Sequence, residues 1–414
     1  MNLFEVATIL LSITAILGWF SHQVLHKLSD TIAFTISGIL ASVVVLFVAK
    51  FVPGVEVHLH EVIGTVNLYE IVFHGVLAFL LFSSALHLNL KEINSHRISI
   101  FTLATLGVVI SMFVVGALFK GAAGLLGFEM PWVIALMFGA IISPTDPVSV
   151  IAIIKQIGLG KDIEAKIAGE SLFNDGTGVV AFMVLFGIYQ SGVEPTLGGV
   201  MNLLALEVLG GAAVGVVIGM LAHKMLETTN HPTVEIVITI ATAMVAWQTA
   251  EVIHASAPIA TVAAGIFVGA FSDKSMSQKT QEAVFPFWMT VDEVLNALLF
   301  TVVGLVLITV PMEFSWVALA LLAIPICLIA RGVSVGIPVL ALKGVNKESA
   351  RLSTILTWGG LRGALSLAMV VSLPSAMQQK GLLFVSVYAV VLFSIIVQGT
   401  TLNAVINKIS AKGE

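Results

Sequence analysis

Ser143-Pro144-Thr145-Asp146-Pro147 interrupts an apolar run that otherwise extends over residues 131–154. Its prolines remove backbone donors and clash with the preceding turn, so a helix through this run has to break there. Further along, Gly359-Gly360-Leu361-Arg362-Gly363 interrupts a second apolar run, 352–373, and its glycines make unwinding easy. Backbone that leaves the helix at membrane depth is tolerated only where protein or a water-filled cavity satisfies its polar groups. Paired interruptions in matching places of two halves are the sequence pointer to a polar site at the bilayer midplane.

A membrane setting follows from composition. The chain has 414 residues, 58% of them hydrophobic and 10% charged, with a mean hydropathy of +1.06. Apolar runs of about 20 residues, the length that crosses a bilayer, recur throughout. The net charge of −5 comes with no basic cluster, which argues against nucleic acid as a partner. The single cysteine, Cys327, rules out a disulfide within the chain and argues against a thiolate metal site. Glycine runs such as Gly210-Gly211 through Gly215 and Gly219 read as close helix packing, not as nucleotide-binding loops. No cofactor is expected. Met1-Asn2-Leu3-Phe4-Glu5 lacks the positive region of a cleaved signal peptide, so the first apolar run is read as a helix. The few polar residues after the last run predict no soluble regulatory domain.

The expectation is an all-α polytopic membrane protein of about thirteen spans. These lie near residues 3–20, 31–51, 68–88, 98–119, 131–154, 163–189, 197–226, 234–253, 258–271, 285–310, 314–342, 352–373 and 382–406. Thirteen lysines and arginines fall in loops after odd-numbered spans or at the C-terminus, against Lys50, Lys120 and Lys380 on the other side. The positive-inside rule then puts the N-terminus outside and the C-terminus in the cytoplasm. An odd count permits an inverted repeat of two six-helix units, spans one to six and eight to thirteen. Spans five and twelve, seven apart, then become two crossed discontinuous helices.

Span six holds the second feature, Gly169-Glu170-Ser171-Leu172-Phe173-Asn174-Asp175-Gly176-Thr177-Gly178. Charged groups in the middle of a spanning helix cost roughly 2.5–3.5 kcal/mol on insertion scales, so they are paired or functional. Glu170 and Asn174 share a helix face, with Ser171 and Asp175 on its flank. Two acids, an amide and a hydroxyl make an oxygen-lined seat for a small hard cation. Asp175 can carry either a proton or a cation. Asp146, beside Thr145, reads both as a cation ligand and as a cap of the second half-helix, roles that coexist in such breaks. Arg331, deep in span eleven, and Arg362, in the span-twelve break, both need partners. The preferred pairing is Glu170 with Arg331, with Arg362 as the alternative.

Blander readings cover the remaining polar residues. Lys166 is expected to snorkel toward the interface. Glu70, Glu207, Glu235, Asp292 and Glu293 read as helix-end or interface acids, with Asp292 and Asn296 as outer candidates for an ion path. The histidines read as solvated. An enzyme is disfavoured: Asp175-Gly176-Thr177-Gly178 has the wrong order for an aspartic protease, and Ser171 lacks a Gly-x-Ser-x-Gly setting.

Five pieces of this sequence, in order from about Leu77 to the end, carry a family resemblance. They are Ser143-Pro-Thr-Asp-Pro-Val148, Gly169-Glu-Ser-Leu-Phe-Asn-Asp-Gly176, Leu295-Asn-Ala-Leu-Leu-Phe300 with Gly304, the intramembrane Arg331, and Trp358-Gly-Gly-Leu-Arg-Gly-Ala364. Together they resemble the NhaP-type branch of the monovalent cation/proton antiporters, which also holds the eukaryotic sodium/proton exchangers. The resemblance implies a homodimer in the lipid of a prokaryotic cell membrane. It also implies a core bundle (97–190 and 313–407) rocking against a dimerisation scaffold (1–96 and 197–312). Asn174-Asp175 would be the pair marking this branch, where electrogenic relatives carry Asp-Asp. Asp175 and Asp146 would contact Na+, with oxygens from Thr145 and Ser171, while Glu170, Arg331 and Arg362 hold the architecture. One departure stands out: Leu80-Leu81-Phe82 is followed by Ser83, where the family often has an acid.

The expected function is electroneutral Na+/H+ antiport by alternating access, serving sodium transport and pH homeostasis. One carboxylate, Asp175, binds H+ and Na+ in turn. The near alternative is the same fold working as a K+/H+ or mixed alkali-cation/H+ antiporter. The remote alternative, a cation channel, needs a continuous polar pore and a selectivity ring, and neither is evident in the sequence.

Overall fold

The computed structural model describes residues 3–25, 30–49, 51, 76–88, 90–157, 161–192, 197–305, 313–343, 347–374 and 376–410. All regular structure among them is helical. In chain order the first helices are α1 (Leu3–Val24), α2 (Asp30–Ala49), α3 (Ala78–Leu86) and α4 (Leu90–Thr102). A π-helical turn, Leu103–Gly107, then leads into α5 (Val108–Leu125). Next come α6 (Trp132–Ile142), α7 (Val148–Ile157), α8 (Lys161–Ser191) and α9 (Leu197–Ala205), with a further π turn at Leu206–Gly210. The middle of the chain forms α10 (Gly211–Glu227), α11 (Pro232–Val252), α12 (Ala257–Ala270), the short α13 (Ser272–Ser275) and α14 (Gln278–Leu305). The last part holds α15 (Phe314–Lys343), α16 (Lys347–Trp358), α17 (Ala364–Val371), α18 (Lys380–Phe393), a π turn at Ser394–Gln398 and α19 (Gly399–Ser410).

Among the described residues, eight helical stretches are long and apolar enough to cross a membrane, and three shorter ones are equally apolar. Only helices satisfy every backbone group within a single segment, which is why so apolar a chain takes this form. Of the expected spans, 68–88 lies partly outside the described residues, as does Glu70. The span at 352–373 is divided between α16 and α17. Both expected interruptions are present, separating α6 from α7 and α16 from α17.

By contact the chain forms two compact units. One comprises Met1–Ile71, Leu106–Gly160 and Asn296–Glu414; the other comprises Val72–Thr105 and Lys161–Leu295. These boundaries differ from the expected scaffold and core. Contact groups segments that pack, whereas scaffold and core are defined by what moves, so that division stays with the proposed function.

In the first unit α5 packs along α6, and α15 packs on α5, α16 and α18. Phe119 and Phe138 stack at 3.9 Å between ring centroids, and Gly139 lies so close to the Met112 carbonyl that no side chain fits there. Helix α2 crosses the end of α14 at a glycine pair. A Cβ on Gly304 would come 2.6 Å from Gly38 Cα, and Ser42 Oγ donates to the Gly304 carbonyl at 3.0 Å. In the second unit α12 packs on α10, α11 and α3. Gly211, Gly215 and Gly219 of α10 face α12 at backbone contact distance, as the small-residue spacing predicts. Trp288, fully buried, anchors this unit with Phe82, Ile238, Val268 and Val284. Its indole donates to Thr239 Oγ1 at 2.9 Å.

Candidate ion-translocation site

The two interruptions are built against each other in the first unit. The backbone N–H of Asp146 donates to the Leu361 carbonyl at 2.8 Å, an isolated antiparallel bridge between broken segments. Helix α6 ends at Ile142 with terminal carbonyls that have no partner within the helix. Arg362 supplies one: its Nη1 donates to the Ser143 and Pro144 carbonyls at 2.6 and 3.0 Å. Ser366 Oγ donates to the Ile141 carbonyl at 2.7 Å. The guanidinium thus sits where the helix dipole concentrates negative charge. Arg362 is itself positioned by Ser394, whose Oγ accepts its backbone N–H at 2.8 Å.

Asp146 lies where the two interruptions meet and is partly buried. A Cβ added to Gly363 would stand 2.9 Å from Asp146 Cβ and 3.0 Å from its Oδ2. The carboxylate therefore rests beside the N-terminal end of α17, where negative charge is favoured. Thr145 and Ser143 are each 2% exposed. Two carbonyls, a carboxylate and a threonine hydroxyl are thereby concentrated in a short stretch of irregular, buried backbone.

Arg331 approaches the second interruption from α15, with Nε donating to the Leu356 carbonyl at 3.2 Å. A Cβ at position 360 would lie 2.5 Å from that Nε, so the guanidinium packs directly against the Gly360 backbone. The Gln398 side-chain amide donates to the Trp358 carbonyl at 3.0 Å. Arg331, Arg362, Thr357 and Gln398 line a small pocket together with Cys327 and apolar side chains.

In the second unit the stretch 169–178 is helical throughout, inside the 31-residue α8. Glu170 is 1% exposed, Ser171 2% and Asn174 0%, whereas Asp175 is partly buried. Asn174 Nδ2 donates to Glu170 Oε1 at 3.4 Å, as their shared face predicts. Beside Glu170, Gly169 lets Ile100 of α4 come close, since a Cβ there would meet Ile100 Cδ1 at 2.9 Å. These side chains offer carboxylate, amide and hydroxyl oxygens, the ligand set of a hard monovalent cation.

Comparison with known proteins places this arrangement. The profile of the family "Sodium/hydrogen exchanger, transmembrane" matches residues 8–408. The chain belongs to the sodium/hydrogen exchanger family. It is 36% identical over 407 residues to the Na+/H+ antiporter NhaP of Pseudomonas aeruginosa, covering 97% of this chain and 96% of that protein. It is 32% identical over 338 residues to the Na+/H+ antiporter NhaH of Halobacillus aidingensis, covering 80% and 81% of the two chains. The solved structure of the sodium proton antiporter MjNhaP1 from Methanocaldococcus jannaschii aligns with a TM-score of 0.77 at 16% identity, over 98% of each chain. The all-helical exchanger fold is therefore shared.

Within this exchanger-family fold, the structure brings Asp146, Thr145 and Arg362 to the junction of the two interruptions, and places Glu170, Ser171, Asn174 and Asp175 on one helix. Lys166 departs from expectation: it is 7% exposed and does not reach out to an interface. Glu235 is a helix-end acid as read, fully buried in the first turn of α11. Its Oε1 accepts from His231 N at 3.2 Å and Thr280 Oγ1 at 3.1 Å. Ser83, standing where the family often has an acid, is 1% exposed and donates from Oγ to the Trp288 carbonyl at 3.0 Å. It serves as a tie between α3 and α14. The sequence reading missed Ser366, Ser394 and Gln398, which hold the interruptions together. Their one visible signal was a polar side chain inside an apolar run.

Lys120 and Lys380 run against the loop-charge asymmetry for a local reason. Lys120 Nζ donates to the Met130 carbonyl. Lys380 Nζ donates to the carbonyls of Val371, at 3.0 Å, and Leu373, at the C-terminal end of α17. Both lysines are engaged by carbonyl oxygens.

Proposed function

We propose that the chain is an electroneutral Na+/H+ antiporter working by alternating access, driven by whichever gradient is steeper. The observation that carries the reading is the pair of broken helices joined at Asp146 and Leu361, with Arg362 on the α6 carbonyls. Such irregular backbone at membrane depth belongs to an ion site. The names of the NhaP and NhaH relatives support Na+ and H+ as the transported ions.

In this proposal Asp175 carries the proton and the cation in turn. When deprotonated it takes Na+ together with Asp146, Thr145, Ser171 and Asn174. When Na+ leaves, a proton restores neutrality. Moving an unpaired charge through hydrocarbon costs several kcal/mol, so the mobile bundle shifts only with Asp175 neutralised by one ion or the other. A single titrating carboxylate then gives one Na+ for one H+. In this proposal Glu170 pairs with Arg331, with Arg362 as the alternative partner, and contributes structure instead of transport. Residues 97–190 and 313–407 form the moving core, and 1–96 and 197–312 form the scaffold that pairs two copies. The N-terminus lies outside and the C-terminus in the cytoplasm of a prokaryotic cell membrane.

The test uses purified protein in liposomes, following internal pH after Na+, K+ or Li+ is added outside, with and without a clamped potential. Na+-driven proton flux that ignores voltage is expected. Voltage-sensitive flux would require a second titrating acid and overturn electroneutrality; absence of proton movement with every cation would overturn antiport.

A further inference from the structure

The Leu361 carbonyl and the Arg362 N–H belong to one peptide unit, and such a planar unit turns as a single plate. Both edges of this plate are held. The carbonyl accepts the Asp146 N–H at 2.8 Å, and the N–H donates to Ser394 Oγ at 2.8 Å. A continuous hydrogen-bonded chain therefore runs from the Ser394 hydroxyl, through the plate, to the backbone of Asp146. Leu361 and Arg362 are both buried, and in low-dielectric surroundings successive hydrogen bonds polarise and strengthen one another.

Local backbone chemistry does not fix the plate. Gly360 and Gly363 stand on either side of it, and glycine leaves many orientations open. Its two hydrogen bonds therefore choose the orientation. That choice reaches the carboxylate as well, because a Cβ on Gly363 would stand 3.0 Å from Asp146 Oδ2. Ser394, fully buried, opens the π turn Ser394–Gln398 between α18 and α19, and such turns recur at functional sites. Two other side chains near this turn hold the same interruption at a different place. Gln398 Nε2 donates to the Trp358 carbonyl at 3.0 Å, and Thr401 Oγ1 accepts the Trp358 indole N–H at 3.1 Å. These fix the end of α16 and leave the 361–362 plate to Ser394 and Asp146.

We propose that Ser394 is a positioning residue for Asp146, acting through the Leu361–Arg362 peptide, and that it sets how tightly the cation is held there. It acts on backbone orientation and needs no contact with the ion. The consequence for cation affinity rests on the antiporter reading, in which Asp146 contacts Na+. The relay from Ser394 to the Asp146 backbone does not.

Within residues 143–147 only Ser143, Thr145 and Asp146 carry a backbone N–H, since Pro144 and Pro147 have none. Amide hydrogen exchange on the full-length protein in lipid nanodiscs therefore reads the Asp146 N–H with little overlap. Ser394→Ala should lower its protection about two- to ten-fold, the range for one lost hydrogen bond. In liposomes the same variant should raise the Na+ half-saturation by a similar factor, with the maximal rate near that of wild type. Thr401→Val removes a bond to the same interruption but not to the plate, and should change neither. Should Ser394→Ala fail to fold, Ser394→Cys, a weaker acceptor of similar size, should give the same two shifts at smaller amplitude. Wild-type protection of Asp146 in the folded Ser394 variant would overturn the relay. Equal shifts in Thr401→Val would overturn it too, as a general loosening of the segment. Lost protection with unchanged half-saturation would overturn the control of affinity. Absence of Na+-driven exchange in wild type would count against the antiporter reading, and amide protection alone would then decide the relay.

Discussion

Asp146 and Leu361 are joined by a backbone hydrogen bond of 2.8 Å, and it ties together the two interrupted segments of the chain. Around it, the first break lends carbonyls to the guanidinium of the second, and the second places Gly363 against the carboxylate of the first. Neither break is satisfied alone.

Arg362→Lys should destabilise the chain by roughly 1.5–3 kcal/mol, the range for a hydrogen bond to a charged group. Lysine keeps the charge but is a compact point donor without the planar guanidinium. Thermal inactivation in detergent, read by size-exclusion profile, should come at a lower temperature than in wild type, with exchange reduced as well. Unchanged stability and exchange would mean that the contacts to Ser143 and Pro144 do not matter.

Gly363→Ala should weaken exchange more than folding. The added methyl would stand 2.9–3.0 Å from Asp146 Cβ and Oδ2, forcing the carboxylate or the backbone to move. The expected readout is a raised Na+ half-saturation in liposomes at near-normal expression. If half-saturation stays put, Asp146 does not depend on this contact.

Asp175→Asn should abolish Na+-driven proton flux while the protein still elutes as a folded species. Asparagine keeps the shape but cannot carry a proton. Asp146→Asn should strongly reduce flux by removing a cation ligand. Wild-type exchange in Asp175→Asn would sink the assignment of that residue as the proton carrier.

Ser83→Ala should cost about 0.5–1.5 kcal/mol of stability, the net worth of one hydrogen bond, and leave ion preference unaltered. Relative exchange rates with Na+, K+ and Li+ measure the second part. A changed preference order would show that this position takes part in selectivity, against its bond to the Trp288 carbonyl.

Much of the fold was legible because its signals are local. Pro144 and Pro147, three residues apart, each remove a backbone donor and crowd the preceding turn, and together they break the helix, whereas the isolated prolines at 286, 325 and 338 stay within helices. The glycines at 359, 360 and 363 lower the cost of leaving a helix in the same way. Apolar run length announces membrane spans, and the spacing of Glu170 and Asn174 alone puts them on one face, where the structure finds their hydrogen bond. What remained hidden were partners far apart in the chain. Arg362 and Ser143 are 219 residues apart, and Ser83 and Trp288 are 205 apart. No periodicity relates such positions. A buried polar group takes whichever complementary group the packing brings within about 3 Å. Tertiary structure therefore decided that Arg362 caps α6, that Ser394 and Gln398 support the second break, that Lys166 is buried and that Ser83 is a tie between helices. The sequence by itself determined where helices must break and which helix carries the acids, since those depend on backbone chemistry and spacing; the satisfaction of each broken end is a property of neighbours that only the folded chain supplies.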